Sequence, residues 1–211
     1  MNEEFAILDF FSRAENLPLG LSVAEQMDGI REQMNNRLWR DLLGRVKTLT
    51  DLHGLGWQIE TTEDKNAPDS LLGLHCLASP EQLHYLRPML EQQYLGGKWR
   101  IYFGLMWSAP PTPEQLGLPA VSGLKAALQK EGFKSNENFL GWQWTSFHPR
   151  RKEFLLQYAL NPEVLLGNME ALFNGLLIGH RIPIELANAA LKSAPRSLAA
   201  ALDQLRDKLI D

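Results

Sequence analysis

Cysteine is almost missing from this chain: of 211 residues only Cys76 carries a thiol. A lone cysteine cannot close a disulfide within the chain, so the expected setting is a reducing compartment, the cytoplasm. Within Leu74-His75-Cys76-Leu77 the thiol reads as a small buried hydrophobe. Histidines are also few. His53, His75, His84, His148 and His180 form no H-x-x-x-H or H-E-x-x-H spacing, and no C-x-x-C occurs. These gaps argue against a structural zinc site, and no cofactor is expected. His75 adjoins Cys76, but successive strand residues point to opposite faces, so the two do not read as a dyad. His84 is the one other histidine near enough in sequence to pair with Cys76.

Phosphate-binding and nucleophile motifs are missing too. Neither G-x-x-x-x-G-K-[ST] nor G-x-G-x-x-G occurs, and there is no G-x-S-x-G elbow. Gly96-Gly97-Lys98 leads into a strand, not a helix, and so lacks a helix N-terminus to aim at phosphate. Positive charge is not in excess. The net charge of −4 leaves nucleic acid an unfavoured partner. No run of about 18 apolar residues exists, so no membrane span is expected. Met1-Asn2-Glu3-Glu4 is acidic where a signal peptide would be basic.

What the chain does have is ordinary globular composition, 45% hydrophobic and 22% charged, and enough length to bury a core without disulfides or metal. Residues Glu3 to Glu15 suggest a short helix with Phe5, Leu8 and Phe11 on one face, broken at 16–20. A long helix follows from Ser22 to His53. Ser22-Val23-Ala24-Glu25 reads as a capping box. Val23, Met27, Ile30, Met34, Leu38, Leu42, Val46 and Leu49 draw one apolar stripe along it. Such a helix would be roughly 45 Å long, and its stripe suits either burial in its own core or a homo-oligomer contact.

Strands are expected from Trp57 to Thr62 and from Leu71 to Ala78, joined by a polar loop. Ser79-Pro80-Glu81-Gln82 has the form of a helix start, which places a helix from there to about Tyr94, stopped by Gly96-Gly97. The aromatic segment Trp99 to Trp107 is a strand. Its odd residues face one side, and Arg100, Tyr102, Gly104 and Met106 face the other. Pro-rich residues 108–119 form a loop with one helical turn, and Ala120 to Lys130 a helix. Strands are then expected from Trp142 to Phe147 and from Glu153 to Leu160. The basic cluster His148-Pro149-Arg150-Arg151-Lys152 would form the turn between them. Beyond Asn161-Pro162-Glu163 the chain reads as helices divided by Pro183 and Pro195, the last striped by Leu198, Leu202, Leu205 and Leu209.

The segment Trp99-Arg100-Ile101-Tyr102-Phe103-Gly104-Leu105, then Gly141-Trp142-Gln143-Trp144, then the helix from Pro162 to Gly179, resembles the C-terminal half of some prokaryotic PD-(D/E)XK nuclease-superfamily proteins. The resemblance covers residues 80 to 180. It implies a non-catalytic relative or an appended module, with a metal-dependent nuclease-like or degenerate nuclease-like protein as the alternative reading. That family's pattern is a P-D pair followed on the next strand by E-x-K or D-x-K. Pro68-Asp69 is present, but Glu63-Asp64-Lys65 precedes it and no suitable successor follows.

These readings combine into one α+β domain over residues 1–211. A helical pair occupies 3–53, a sheet-containing core 55–160, and helices 162–210. The sheet is mostly antiparallel with about five strands. The expected function is that of a non-enzymatic, prokaryotic protein-binding module of immunity, anti-defence or adaptor type, with another protein as partner. Its binding residues would be Arg100, Tyr102 and Met106 on the second face of the aromatic strand, provided helices leave that face open, and Arg150 and Arg151 in the basic turn. Acidic hairpin loops are a second candidate surface. The tryptophans read as core, with an aromatic recognition surface as the alternative. In the nuclease-like alternative, Glu60 and Asp69 would hold metal, with Lys65 beside them.

Overall fold

The computed structural model describes residues 2–77, 82–95 and 98–193. In chain order the elements are α1 (Glu3–Ser12), α2 (Leu17–Leu52), β1 (Gln58–Glu63), β2 (Leu71–Leu77), β3 (Leu86–Leu95), β4 (Lys98–Trp107), α3 (Pro113–Gly117), α4 (Pro119–Lys130), β5 (Phe139–Trp144), α5 (Lys152–Leu160), α6 (Pro162–Gly179) and α7 (Arg181–Ser193). The five strands pair in chain order, β1-β2-β3-β4-β5, and every pairing is antiparallel. The fold is α+β, as the sequence predicts.

Two elements differ from expectation in type, and β5 runs from Phe139 to Trp144 where the sequence predicts a strand from Trp142 to Phe147. Residues up to Tyr94, expected as a helix, form β3. Pro88 explains the difference: in a helix interior it would remove a hydrogen bond and clash with the preceding turn, at a cost of about 3 kcal/mol. In β3 it lies opposite Leu105, just outside the residues paired with β2, and is followed by buried Met89 and Leu90. The expected helix start at Ser79, Pro80 and Glu81 and the stop at Gly96-Gly97 lie outside the described residues, as do Pro195 and the stripe Leu198, Leu202, Leu205 and Leu209. The second correction is α5, expected as a strand from Glu153 to Leu160. Its buried residues, Phe154 and Tyr158, are four apart, a helical spacing. The basic cluster therefore joins a strand to a helix and is not a hairpin tip.

The helices cover one face of the sheet. From β4 that face contributes Ile101, Phe103, Leu105 and Trp107, and from β5 Leu140. They join one apolar core with Leu38, Leu42 and Val46 of α2, Leu124 and Leu128 of α4, and Met169 and Phe173 of α6. Cys76 lies in this core, and burial pushes its thiol pKa far above the ordinary value. Two side-chain amides pin helices to strands. Asn36 of α2 donates to the Asp69 carbonyl and accepts from the Leu71 amide, both at 2.8 Å. Asn188 of α7 accepts from the Leu86 amide at 2.7 Å and donates to its carbonyl at 3.1 Å. Each supplies a main-chain-like partner to backbone that would otherwise be buried unpaired.

α2 starts at Leu17, with Pro18 in its first turn, so Ser22 lies inside the helix and the expected capping box does not form. At 36 residues the helix is about 54 Å long. Its stripe divides in two. Leu38, Leu42, Val46 and Leu49 are buried, whereas Val23 and Ile30 stay exposed. The first buried residue along the described chain is Asn36. Residues 3–33 thus form an arm in which α1 folds back on α2, with the Phe11 ring close over Gly20, and Met34 and Asn35 begin the packing against the core and β2. The arm exposes Phe5, Ile7, Leu8 and Phe10 from α1, and Leu17, Leu19, Leu21, Val23 and Ile30 from α2.

Candidate functional site

The face of the sheet opposite the core carries no helix among the described residues. Strand alternation sets its membership. Tyr102 of β4 lies opposite Glu91 of β3 and Trp144 of β5, while Gly104 lies opposite Met89 and Trp142. Gly73 of β2 is opposite Glu91 and His75 opposite Met89; across β1, Glu60 faces His75 and Thr62 faces Gly73. One surface thus runs from Glu60 and Thr62, through His75 and Glu91, to Tyr102, Trp142 and Trp144.

Its β4–β5 half is aromatic. The Tyr102 ring makes edge contacts with Phe139, Trp142 and Trp144 at centroid distances of 5.8, 6.3 and 5.5 Å. Trp142 and Trp144 meet edge to face at 5.4 Å. Such geometry sets a ring's positive edge against its neighbour's negative face. The Arg100 guanidinium lies over Trp144, 4.4 Å from the ring centroid, and Lys134 stands 5.9 Å from that of Trp142. A cation over an indole face is held by the ring quadrupole. Beside this group, Arg87 donates to the Met106 sulfur from Nε at 3.3 Å and from Nη2 at 3.0 Å.

The β1–β3 half is polar, and one carboxylate organises it. Glu91 accepts from the Tyr102 hydroxyl at 2.9 Å on Oε2 and from the Thr62 hydroxyl at 2.8 Å on Oε1. Thr62 Oγ1 also lies 3.1 Å from His75 Nδ1. Its single proton goes to Glu91, so His75 must donate from Nδ1, and the neutral ring carries its lone pair on Nε2. Burial, then Arg87, lower the His75 pKa, against opposing pulls from Glu91 and Glu60. Burial, then Glu91, raise that of Tyr102 far above the ordinary value, which keeps the phenol a donor.

The lowered His75 pKa has a measurable consequence. The unfolded chain binds a proton below the ordinary value of 6.5 more readily than the folded one does. This contribution to stability is therefore complete above that pH and lost as pH falls through the folded value. Thermal melts from pH 7.5 to 5 should show the melting temperature falling with acidification. His75→Gln, which can still donate to Thr62, should flatten that part of the curve. Equal slopes for the two proteins would remove His75 as the cause.

No family profile, curated protein or solved structure matches this chain.

The expected binding residues separate into two places. Arg100, Tyr102 and Met106 share the face away from the core, each half-buried, with fully buried Met89 beside them. Arg150 does not join them. Its guanidinium lies 4.8 Å over Trp99, on the helix-covered side at the start of β4, and 3.9 Å from Asp28 of the arm. Arg151 is the residue before α5 and is exposed. The tryptophans divide as well: Trp39 and Trp107 are core, whereas Trp142 and Trp144 are half-buried on the open face.

The metal candidates are not assembled into a cluster. Glu60 lies on the open face across from His75, while Asp69 is exposed and its backbone is tied by Asn36 to α2. Lys65 is exposed in the β1–β2 loop. Among the described residues no three His, Cys, Asp or Glu side chains converge to hold a metal ion. Among them, too, no helix is long and apolar enough to cross a membrane. Sequence reasoning missed Glu91, Thr62 and His75 as one group. Glu91 fell in the segment read as helix, where Pro88 was the one local signal against a helix interior.

Proposed function

We propose that this protein is a non-enzymatic binding module whose open sheet face receives another protein, with Arg100, Tyr102 and Trp144 at the centre of the contact. The observation that carries the reading is the Arg100–Trp144–Tyr102 group standing on a face without helices. Tyrosine, tryptophan and arginine dominate the energetic centres of protein interfaces, because each buries a large area and keeps a polar group to orient it. The group is also held in place before binding: Arg100 by the indole, Tyr102 by its ring contacts and by Glu91. Preorganised side chains lose less conformational entropy when a partner arrives. A lone buried thiol suits a reducing compartment, and the proposed location is the cytoplasm.

The test is quantitative affinity capture with tagged protein. Arg100→Ala and Tyr102→Ala should each reduce recovery of a stoichiometric partner by about 10-fold or more. Arg100→Ala should leave the thermal melt unchanged, because its side chain is not part of the core. Equal recovery by wild type and both variants would show that the contact lies elsewhere.

A further inference from the structure

We propose that the arm formed by α1 and the first half of α2 is a self-association surface that pairs with the arm of a second copy of this chain. The sequence suggested a homo-oligomer contact along the stripe of residues 22–53. The structure narrows the available part of that stripe, because from Leu38 onward it is buried in the chain's own core. What remains open is the arm.

Three observations point to a missing cover. First, α1 has no buried residue, yet its apolar side chains lie on two sides. Phe5 and Leu8 are 68% and 66% exposed, and Phe10 is exposed beside Phe11, which meets α2. A helix apolar on both sides is normally enclosed. Second, α1 is only 10 residues long, so it depends on packing to hold its shape in water. Third, the nine exposed apolar side chains of the arm together offer on the order of 800 Å² per chain, about one partner's share of a standard stable interface.

The occupant follows from the shape and charge of the arm. Two helices folded on each other, laid against the same two helices across a two-fold axis, make a four-helix arrangement. In it each copy supplies the cover the other lacks, and isologous pairs of this kind are the commonest oligomers. Of the arm's seven acidic residues four are tied within one chain, which leaves exposed Glu4, Glu15 and Glu25 facing a second arm. Glu3 pairs with Lys152, Asp9 with Arg13, and Asp28 with both Arg31 and Arg150 within one chain. Glu32 accepts from Ser70. The repulsion left between two arms is that of a few exposed carboxylates, which salt screens.

The experiment is sedimentation velocity on the full chain over a concentration series, at low and at 0.5 M salt. Wild type should sediment with twice the 23.9 kDa chain mass, and salt should not dissociate it. Phe5→Ser combined with Leu8→Ser should weaken association by about 100-fold or more. Val23→Glu combined with Ile30→Glu should do the same from the other helix. All four side chains are exposed in the single chain, so the circular dichroism and melting of the core should persist. Hydrogen exchange across residues 3–30 should slow as concentration rises in wild type only. A wild-type monomer at 100 μM would overturn the proposal and leave the arm to another protein or to a lipid surface. A dimer unaffected by either double variant would overturn it equally, as would an open series of higher oligomers.

Discussion

Gly104→Ala is expected to destabilise the protein by about 3 kcal/mol or more, the largest effect of any single methyl group added to the sheet. Gly104 sits in the middle of β4, where β5 approaches most closely. A Cβ placed there would stand 2.1 Å from the Gly141 carbonyl oxygen and 2.8 Å from the Trp142 Cα. Both obstacles are backbone, so no rotamer change relieves the clash. The register between β4 and β5 already shifts between Leu105 and Met106, so the contact falls beside an irregular stretch of the ladder. The added methyl therefore has to push β5 away. β5 carries Trp142 and Trp144, so the same change should disperse the aromatic group around Tyr102 and abolish partner recovery. Gly123→Ala is the control. Gly123 lies in α4, nothing approaches the position of its Cβ within 4 Å, and a helical alanine gains up to about 1 kcal/mol over glycine. Urea unfolding midpoints should move in opposite directions for the two variants. A Gly104→Ala protein as stable as wild type would mean that the strands lie farther apart than described.

Trp39→Ala is the second large effect, a loss of about 3–5 kcal/mol. Trp39 is fully buried and is the largest side chain enclosed by the core. It stands on α2 one residue past Leu38, in the half of that helix which meets the sheet and α6. Its truncation would open a cavity among side chains fixed by several elements at once, which leaves little room for collapse. The expected fall in melting temperature is roughly 10 °C for a chain of this size. Trp39→Phe sharpens the test. The indole Nε1 is buried without a hydrogen-bond partner among the described residues, so replacing it removes an unsatisfied donor along with some volume. The phenylalanine variant should lose less than half of what the alanine variant loses. Similar losses for the two would mean that the indole N–H has a partner.

How much of this was legible in the sequence depended on whether the controlling contacts were local. The buried half of α2 and strands β1, β2, β4 and β5 were readable, because a period of three to four or of two is written into neighbouring residues. The same alternation placed Arg100, Tyr102 and Met106 together on one face. β3 was misread because its flanks carry helix start and stop signals, and the one contrary residue, Pro88, sits between them. α5 was misread because nine residues of mixed pattern fit either period, and only tertiary packing of Phe154 and Tyr158 decides between them. The group of Thr62, His75 and Glu91 was beyond reach for another reason. Its members come from three strands, and their meeting depends on the registers of two separate pairings. The exposure of the arm was hidden because an apolar stripe looks the same whether the cover comes from its own chain or from elsewhere.

A sheet whose strands lie in chain order has a consequence for how the molecule assembles. Strands β1 to β4 follow one another through short connections, so that part of the meander can zip quickly, whereas β5 joins only after the chain has passed through α3 and α4. The slow joints are those between regions remote in sequence. Arg45 of α2 reaches Glu163 and Glu170 of α6, and Tyr158 of α5 reaches Asp41, across gaps of more than a hundred residues. Until those joints form, nothing distinguishes the two sides of the ribbon except their side chains. Docking α2 and α6 onto the aliphatic side is the event that gives the sheet an inside, and it leaves the tryptophan side facing out.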